Sequence, residues 1–316
     1  MEGVVEKLND TYNFYLHTLT FSDPRVQDWP LMQSPLPTLV IVALYLVMVK
    51  VGPKLMENQK PFEMKNTMVL YNLCCVLLSA HIVKEGIYCG YKAGYSLSCQ
   101  EVVFSNNEYE LRIAKALWWF YFSKFFEMLD TTFFILRKRN NQVTFLHVYH
   151  HASMFILWWI GIKWVAGGQS LFGAVLNSFI HVVMYSYYCL AAMGPQFHKY
   201  LWWKRYLTIL QFVQFCLGIV HAFNSLYVRC NFPLWMQYGL IAYATSMFLL
   251  FANFYLHAYI KGERPPKAQR KVMRDFDRQK TGDGVPNGAL NGAENGVQKA
   301  ASAGEGKESI AQKKVK

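Results

Sequence analysis

A chain of 316 residues with 32 Lys plus Arg, 20 Asp plus Glu and a net charge of +12 is only 16% charged, against roughly 25% in an ordinary soluble domain. Aromatic residues also make up 16%, and all but Phe276 precede residue 261. A body so poor in charge and so rich in Phe, Tyr and Trp excludes an ordinary soluble enzyme, a disordered chain and a fibre. It points to a polytopic membrane protein with a polar tail.

Residues 1–33 read as a lumenal N-terminal segment. They lack a basic stretch followed by an apolar one, so no cleavable signal peptide is expected. Asn9-Asp10-Thr11 is an N-glycosylation sequon, usable where this segment is lumenal. Residues 34–260 hold seven apolar segments, at about 34–53, 67–89, 114–136, 144–165, 170–192, 206–227 and 234–260. Each suits the ~20 residues that cross a ~30 Å hydrocarbon core. Pro35 and Pro37 mark the first entry, Gly167-Gly168 a tight turn between the fourth and fifth segments, Gly194-Pro195 the end of the fifth and Pro233 the start of the seventh. No strand-like alternation of useful length occurs, so the expected fold is all-α.

Orientation follows from the loops. Lys50, Lys54, Lys60 and Lys65 follow the first segment, Arg137, Lys138 and Arg139 the third, and Lys199, Lys204 and Arg205 the fifth. The facing side has Lys7, Arg25, Lys92, Arg112, Lys115 and Arg229. Residues 261–316 add 13 basic and 7 acidic side chains and read as a disordered basic cytoplasmic tail that cannot bury enough apolar area to fold. The positive-inside bias then places the N-terminus in the lumen and the C-terminus in the cytoplasm. Basic charge is topological here: with no basic stripe on an amphipathic helix and no zinc-finger spacing, nucleic acid is excluded as a partner. Lys313 and Lys314 resemble a dilysine endoplasmic-reticulum retrieval signal, a receptor-read address.

Cys74, Cys75, Cys89, Cys189 and Cys216 fall inside the apolar segments as small hydrophobes. Cys99 and Cys230 fall in two lumenal loops, where an oxidising compartment permits a disulfide.

Ionisable groups inside transmembrane helices are costly and are functional candidates by default. In the third segment Lys124, Glu127 and Thr131 share a helical face with Asp130 at its edge; a bundle-stabilising ion pair is the plainer reading of the first two. The fourth opens Gln142-Val143-Thr144-Phe145-Leu146-His147-Val148-Tyr149-His150-His151, whose i, i+3, i+4 spacing puts three imidazoles on one face. The fifth adds His181 within Asn177-x-x-x-His181-x-x-Met184-Tyr185-x-Tyr187-Tyr188. The sixth adds Thr208-x-x-Gln211-x-x-Gln214-Phe215, an amide-bearing face that would meet lipid only at a penalty.

Two chemistries want such a cluster. Imidazoles are common metal ligands, as in a membrane di-iron desaturase or hydroxylase, but those need about eight histidines in several boxes. Five of the nine here, His17, His81, His198, His221 and His257, are isolated, so no metal site is expected. Alternatively, imidazole serves as nucleophile and base in acyl transfer, with Glu127 and Asp130 orienting the ring. Acyl transfer fits the inventory better. A lipid-binding scaffold without chemistry is the third class.

Lys124-x-x-Glu127-x-x-Asp130-Thr131, the HxxHH box, the Asn177–Tyr188 run and the Thr208–Phe215 run stand in order at family-like spacing. Across about residues 20–260 the chain resembles the very-long-chain fatty acid elongases (ELO type), and the box is most similar to those taking polyunsaturated and very-long-chain substrates. The resemblance implies seven transmembrane helices, six of them forming a barrel around an acyl tunnel, in a multi-pass protein of the endoplasmic reticulum. It implies an acyltransferase, a 3-oxoacyl-CoA synthase that condenses long-chain acyl-CoA with malonyl-CoA and releases CO2 and CoA. It needs no cofactor. His150 is the expected acyl acceptor, with His151 second and His147 beside them. His181 would activate the acceptor or hold the malonyl thioester, and Asn177 or Gln211 would stabilise the enolate. Lys124, Tyr185, Tyr188 and Gln214 complete the expected substrate contacts, and Arg137, Lys138, Arg139, Lys204 and Arg205 match the phosphates of CoA. Phe145, Tyr149, Phe155, Trp158 and Trp159 would keep the site dry. Expected partners are the two CoA thioesters, membrane lipid and, as an option, homo- or hetero-oligomers with other elongation-cycle enzymes.

Overall fold

The structure, a computed structural model, describes residues 2–257. The tail expected over 261–316, with Lys313 and Lys314, lies outside the described residues. Among the described residues the chain is all-helical: α1 (Glu2–Leu19), α2 (Leu36–Leu55), α3 (Lys65–Lys92), α4 (Glu108–Glu127), α5 (Leu129–Leu136), α6 (Phe145–Val165), α7 (Ser170–Met193), α8 (Lys204–Tyr227) and α9 (Leu234–Tyr255), with three short 3-10 turns.

Five of these, α2, α3, α7, α8 and α9, are long and apolar enough to cross a membrane by length and composition. The expected segment 144–165 is α6, and 114–136 is α4 and α5 together. Both are helical, but the charged residues of α4 and the histidines of α6 lower their hydropathy. Exposed aromatics gather at the helix ends, as interfacial anchors do. Tyr91, Tyr227, Trp235 and Tyr238 stand at one end of the helices; Phe62, Phe145, Trp202 and Tyr206 stand at the other. The protein is a polytopic membrane protein.

α4 packs on α3, α3 on α7, α7 on α8, α8 on α9, α9 on α6, and α6 back on α4; α2 stays outside this circuit against α6 and α5. Hydroxyls dock α2. In an otherwise apolar helix, Thr38, Val42 and Tyr45 form the buried stripe. Thr38 Oγ1 meets Tyr121 OH at 2.7 Å, and Tyr45 OH meets Thr131 Oγ1 at 2.9 Å.

Helix ends follow local chemistry. Asn107 caps α4 by accepting from the Tyr109 N–H at 2.9 Å, and Thr144 caps α6 by accepting from the His147 N–H at 3.3 Å. Gly168 turns the chain between α6 and α7 at φ +58°, and a Cβ there would sit 2.9 Å from the backbone of Gln100 and Glu101. Only glycine fits both demands.

On that same side Cys99 and Cys230 are joined in a disulfide, Cα–Cα 5.4 Å, across 131 residues of sequence. Disulfides typically stabilise by about 2–4 kcal/mol. Cys99→Ser with Cys230→Ser is therefore expected to lower stability by that amount, read by chemical denaturation in lipid nanodiscs. Unchanged stability would show that the packing around Val165 and Phe232 suffices without the bond.

Candidate active site

Three helices of the circuit meet at the site. α4 brings Lys124 and Glu127, α6 brings its histidines, and α7 brings Asn177, His181 and Tyr185. At Met128, between α4 and α5, i→i+3 bonds tighten the backbone: the Met128 N–H donates to Phe125 O at 3.3 Å and the Thr131 N–H to Met128 O at 3.2 Å. Such tightening inside a helix often accompanies function, and here Glu127 and Asp130 flank it.

Glu127 is the hub. Its Oε1 accepts from Lys124 Nζ at 2.8 Å and Ser123 Oγ at 3.1 Å, and lies 3.2 Å from His181 Nδ1, a close approach not aligned as a hydrogen bond. Lys124, only 1% exposed, also donates to Asn177 Oδ1 at 3.1 Å and sits over the Phe120 ring at 4.2 Å. Ligand atoms of Glu127, His150 and His181 all lie within 4.8 Å of one another. Glu127 Oε2 and His150 Nδ1 are buried with no hydrogen-bond partner in the protein. Buried polar atoms are normally paired; with His181 Nδ1, each of these three residues carries one that is not.

The other predicted residues fall into two flanking networks. Tyr185 OH donates to Asp130 Oδ2 at 2.9 Å. Thr131 Oγ1 bridges Tyr45 OH at 2.9 Å and His147 Nε2 at 2.8 Å. His151 is buried between its neighbours, its ring 4.4 Å from that of His147 and 5.4 Å from that of His150. The three imidazoles of the box therefore serve different surroundings, with His150 the one beside Glu127 and His181.

Several predicted residues lie farther out. Gln211 Nε2 is 3.9 Å from Met184 Sδ, one turn beyond His181, and Gln214 is half-buried nearby on α8. Tyr188 is 39% exposed, edge-on to Tyr185. Of the aromatics expected to keep the site dry, Phe155 is fully buried and stacks on Tyr121 at 4.8 Å. Trp159 is buried but donates to Leu31 O at 2.7 Å, and Phe145 is exposed at the start of α6. Asn9 is exposed on α1.

At the basic end, Arg137 is half-buried just after α5. Burial first, and the charge of Arg139 second, lower its pKa from the ordinary arginine value. Lys138 Nζ donates to Glu57 O at 2.8 Å. Lys204 is exposed at the start of α8, and Arg205 Nε donates to Tyr255 OH at 3.1 Å.

Sequence reasoning missed Tyr45 and Ser123. Tyr45 had a readable signal, two hydroxyl residues seven apart in a helix with no other polar group at its centre.

Residues 30–267 match the ELO: GNS1/SUR4 family. Very long chain fatty acid elongase 4 of Homo sapiens is 59% identical over 266 residues, covering 84% of each chain. Very long chain fatty acid elongase 7 of Drosophila melanogaster is 46% identical over 279 residues, 84% of this chain and 85% of that one. Very long chain fatty acid elongase 2 of Mus musculus is 43% identical over 279 residues, 88% and 92% of the two chains. With its four polar motifs gathered on neighbouring helices and this extent of likeness, the chain belongs to the GNS1/SUR4 (ELO) family of fatty acid elongases.

Proposed function

We propose that this protein is a 3-oxoacyl-CoA synthase that condenses a long or very long acyl-CoA with malonyl-CoA through an acyl-histidine on His150. The observation that carries the reading is the buried group of Glu127, His150 and His181, whose ligand atoms lie within 4.8 Å of one another and which each hold an unpaired polar atom. The His150 imidazole attacks the acyl thioester carbonyl, the C–S bond breaks, and CoA leaves as the thiolate, which takes its proton from the aqueous phase on release. Malonyl-CoA then loses CO2, and its enolate carbon attacks the N-acylimidazole. The C–N bond breaks, imidazole is restored and 3-oxoacyl-CoA departs. Glu127, loaded on one oxygen and open on the other, receives the imidazole proton and returns it. Lys124 and Asn177 hold that carboxylate in place. The thioester enolate needs no cofactor, because its own carbonyl delocalises the charge.

The unbroken order of packing through α4, α3, α7, α8, α9 and α6 supports a six-helix barrel around the acyl chain. With α2 outside it, seven membrane crossings result, counting α4 with α5 as one. The basic residues Arg137, Lys138, Arg139, Lys204 and Arg205 share the cytoplasmic end with CoA in this reading. The orientation has the N-terminus in the lumen of the endoplasmic reticulum.

A second reading has one observation in its favour: two histidines and one carboxylate within reach of a single ion resemble the facial triad of iron oxygenases. Against it, the Lys124 ammonium sits 2.8 Å from the Glu127 oxygen and would repel a cation placed there. Purified protein given acyl-CoA and radiolabelled malonyl-CoA, without oxygen and with an iron chelator, is expected to form labelled 3-oxoacyl-CoA with matching release of CO2 and CoA. Activity lost to the chelator or to anaerobiosis would favour the metalloenzyme. Binding of acyl-CoA with no CO2 release would leave a lipid-binding scaffold.

A further inference from the structure

Among the described residues, no other helix packs extensively along α1. Yet α1 is amphipathic. Tyr12, Tyr15, Leu16 and Leu19 recur at i, i+3, i+4 and i+7 and share one face, while Glu6, Asp10, Asn13 and His17 share the opposite one. The apolar face is open, with Tyr12 58% and Leu16 42% exposed. The last turn is nonetheless fixed to the bundle. Trp164 Nε1 donates to Thr18 O at 2.8 Å, and just beyond it the Asp23 N–H donates to Lys163 O at 2.9 Å. Buried Asp23 pairs with Arg25 at 2.6 Å, whose Nη2 donates to Ala166 O at 2.9 Å.

These anchors belong to the end of α6, so the last turn of α1 sits at the level where α2 and α9 begin. A cleft of about 500 Å³ opens there, lined by Phe21, Phe104, Trp164 and Trp235. Exposed Trp235 and Tyr238 continue the aromatic collar of that end. The last turn of α1 thus lies at the end of the bundle that carries this collar.

We propose that α1 lies in the headgroup–acyl boundary on the side where α2 begins, with the Tyr12–Leu16 stripe in lipid and the acidic face toward water. Charge selects the lipid. Interfacial helices that bind anionic surfaces carry Lys and Arg on the polar face, whereas Glu6 and Asp10 outnumber Lys7 here, so the surface it fits is zwitterionic. A second copy of the chain is a poor occupant: a stable dimer buries roughly 1,200–2,000 Å², far more than four side chains offer. The proposal rests on the membrane character of the bundle and is independent of the condensation chemistry.

Hydrogen exchange on the full chain tests it, because an isolated helix of this length is marginal in water and exchanges fast. The chain is placed as single copies in phosphatidylcholine nanodiscs. Amides of residues 9–19 are expected to be protected, and the double variant Tyr12→Glu with Leu16→Glu is expected to reduce that protection at least about tenfold. Exchange across 36–255 serves as the folding control and stays unchanged. Adding phosphatidylserine is expected to leave the protection level or weaken it. Coil-like exchange in the unmodified chain, protection that survives the double variant, protection that rises with phosphatidylserine, or protection seen only with two copies per disc would each overturn the proposal.

Discussion

His150→Ala is expected to lower condensation at least about a thousandfold, the scale on which loss of an attacking group removes activity, while the helices stay inserted. The separating experiment uses acyl-CoA alone. The unmodified protein is expected to release free CoA before malonyl-CoA is added and to gain the mass of the acyl group. Peptide mapping should place that adduct on residues 147–151, and hydroxylamine should remove it, as it does an activated acyl group. His150→Ala should do neither. His181→Ala is also expected to abolish turnover, since it removes the imidazole 3.2 Å from Glu127 Oε1. An N-acylimidazole survives only where water is excluded, and the groups around His150 are buried: Lys124 is 1%, Glu127 2% and His181 6% exposed. An adduct that persists in His150→Ala would move the acceptor to His151. CoA released only when both substrates are present would make His150 a base in a direct condensation.

The polar motifs were legible in the sequence because a membrane helix makes them so. Lys124, Glu127, His150 and His181 stand out against apolar surroundings in which every ionisable group is costly, and their helical spacing told which of them share a face. What spacing could not tell was which helix each face meets. His147, His150 and His151 read as one cluster, whereas the structure gives His147 to Thr131 and Tyr45 and gives His150 to Glu127 and His181. That division depends on the crossing of α4, α5 and α6, a tertiary property. Gln211 and Tyr188 show the other limit of a helical pattern. A residue one turn farther along its helix keeps the same face in such a pattern, and only the structure shows that Gln211 meets Met184 and that Tyr188 is partly exposed. α1 went unread because its apolar stripe spans just over two turns in a segment with no long hydrophobic run. The tight turn at Gly168 and the end of α7 at Gly194 were legible, since a positive φ is something the residue type itself announces.

Glu127→Gln is expected to destabilise the bundle by about 3–5 kcal/mol, the usual result of removing one partner from a buried ion pair. The change would leave the Lys124 ammonium, 2.8 Å from Glu127, without its counter-charge. Of its polar contacts, the Asn177 amide oxygen at 3.1 Å would remain beside a neutral amide at residue 127. Lys124→Met is expected to cost a similar amount for the converse reason, since Glu127 would keep Ser123 and its approach to His181 but lose its cation. The paired change Lys124→Met with Glu127→Leu removes both charges at nearly conserved volume, and such replacements of a buried pair are often neutral or stabilising. The double variant should therefore regain most of the stability that either single change loses, measured by denaturant titration in nanodiscs. It should regain none of the activity, because His150 and His181 would have lost the carboxylate between them. Stability restored together with turnover would show that Glu127 and Lys124 only hold α4 in place. A double variant less stable than either single one would show that the pair, with Ser123 and Asn177, is what orders the junction of α4, α6 and α7.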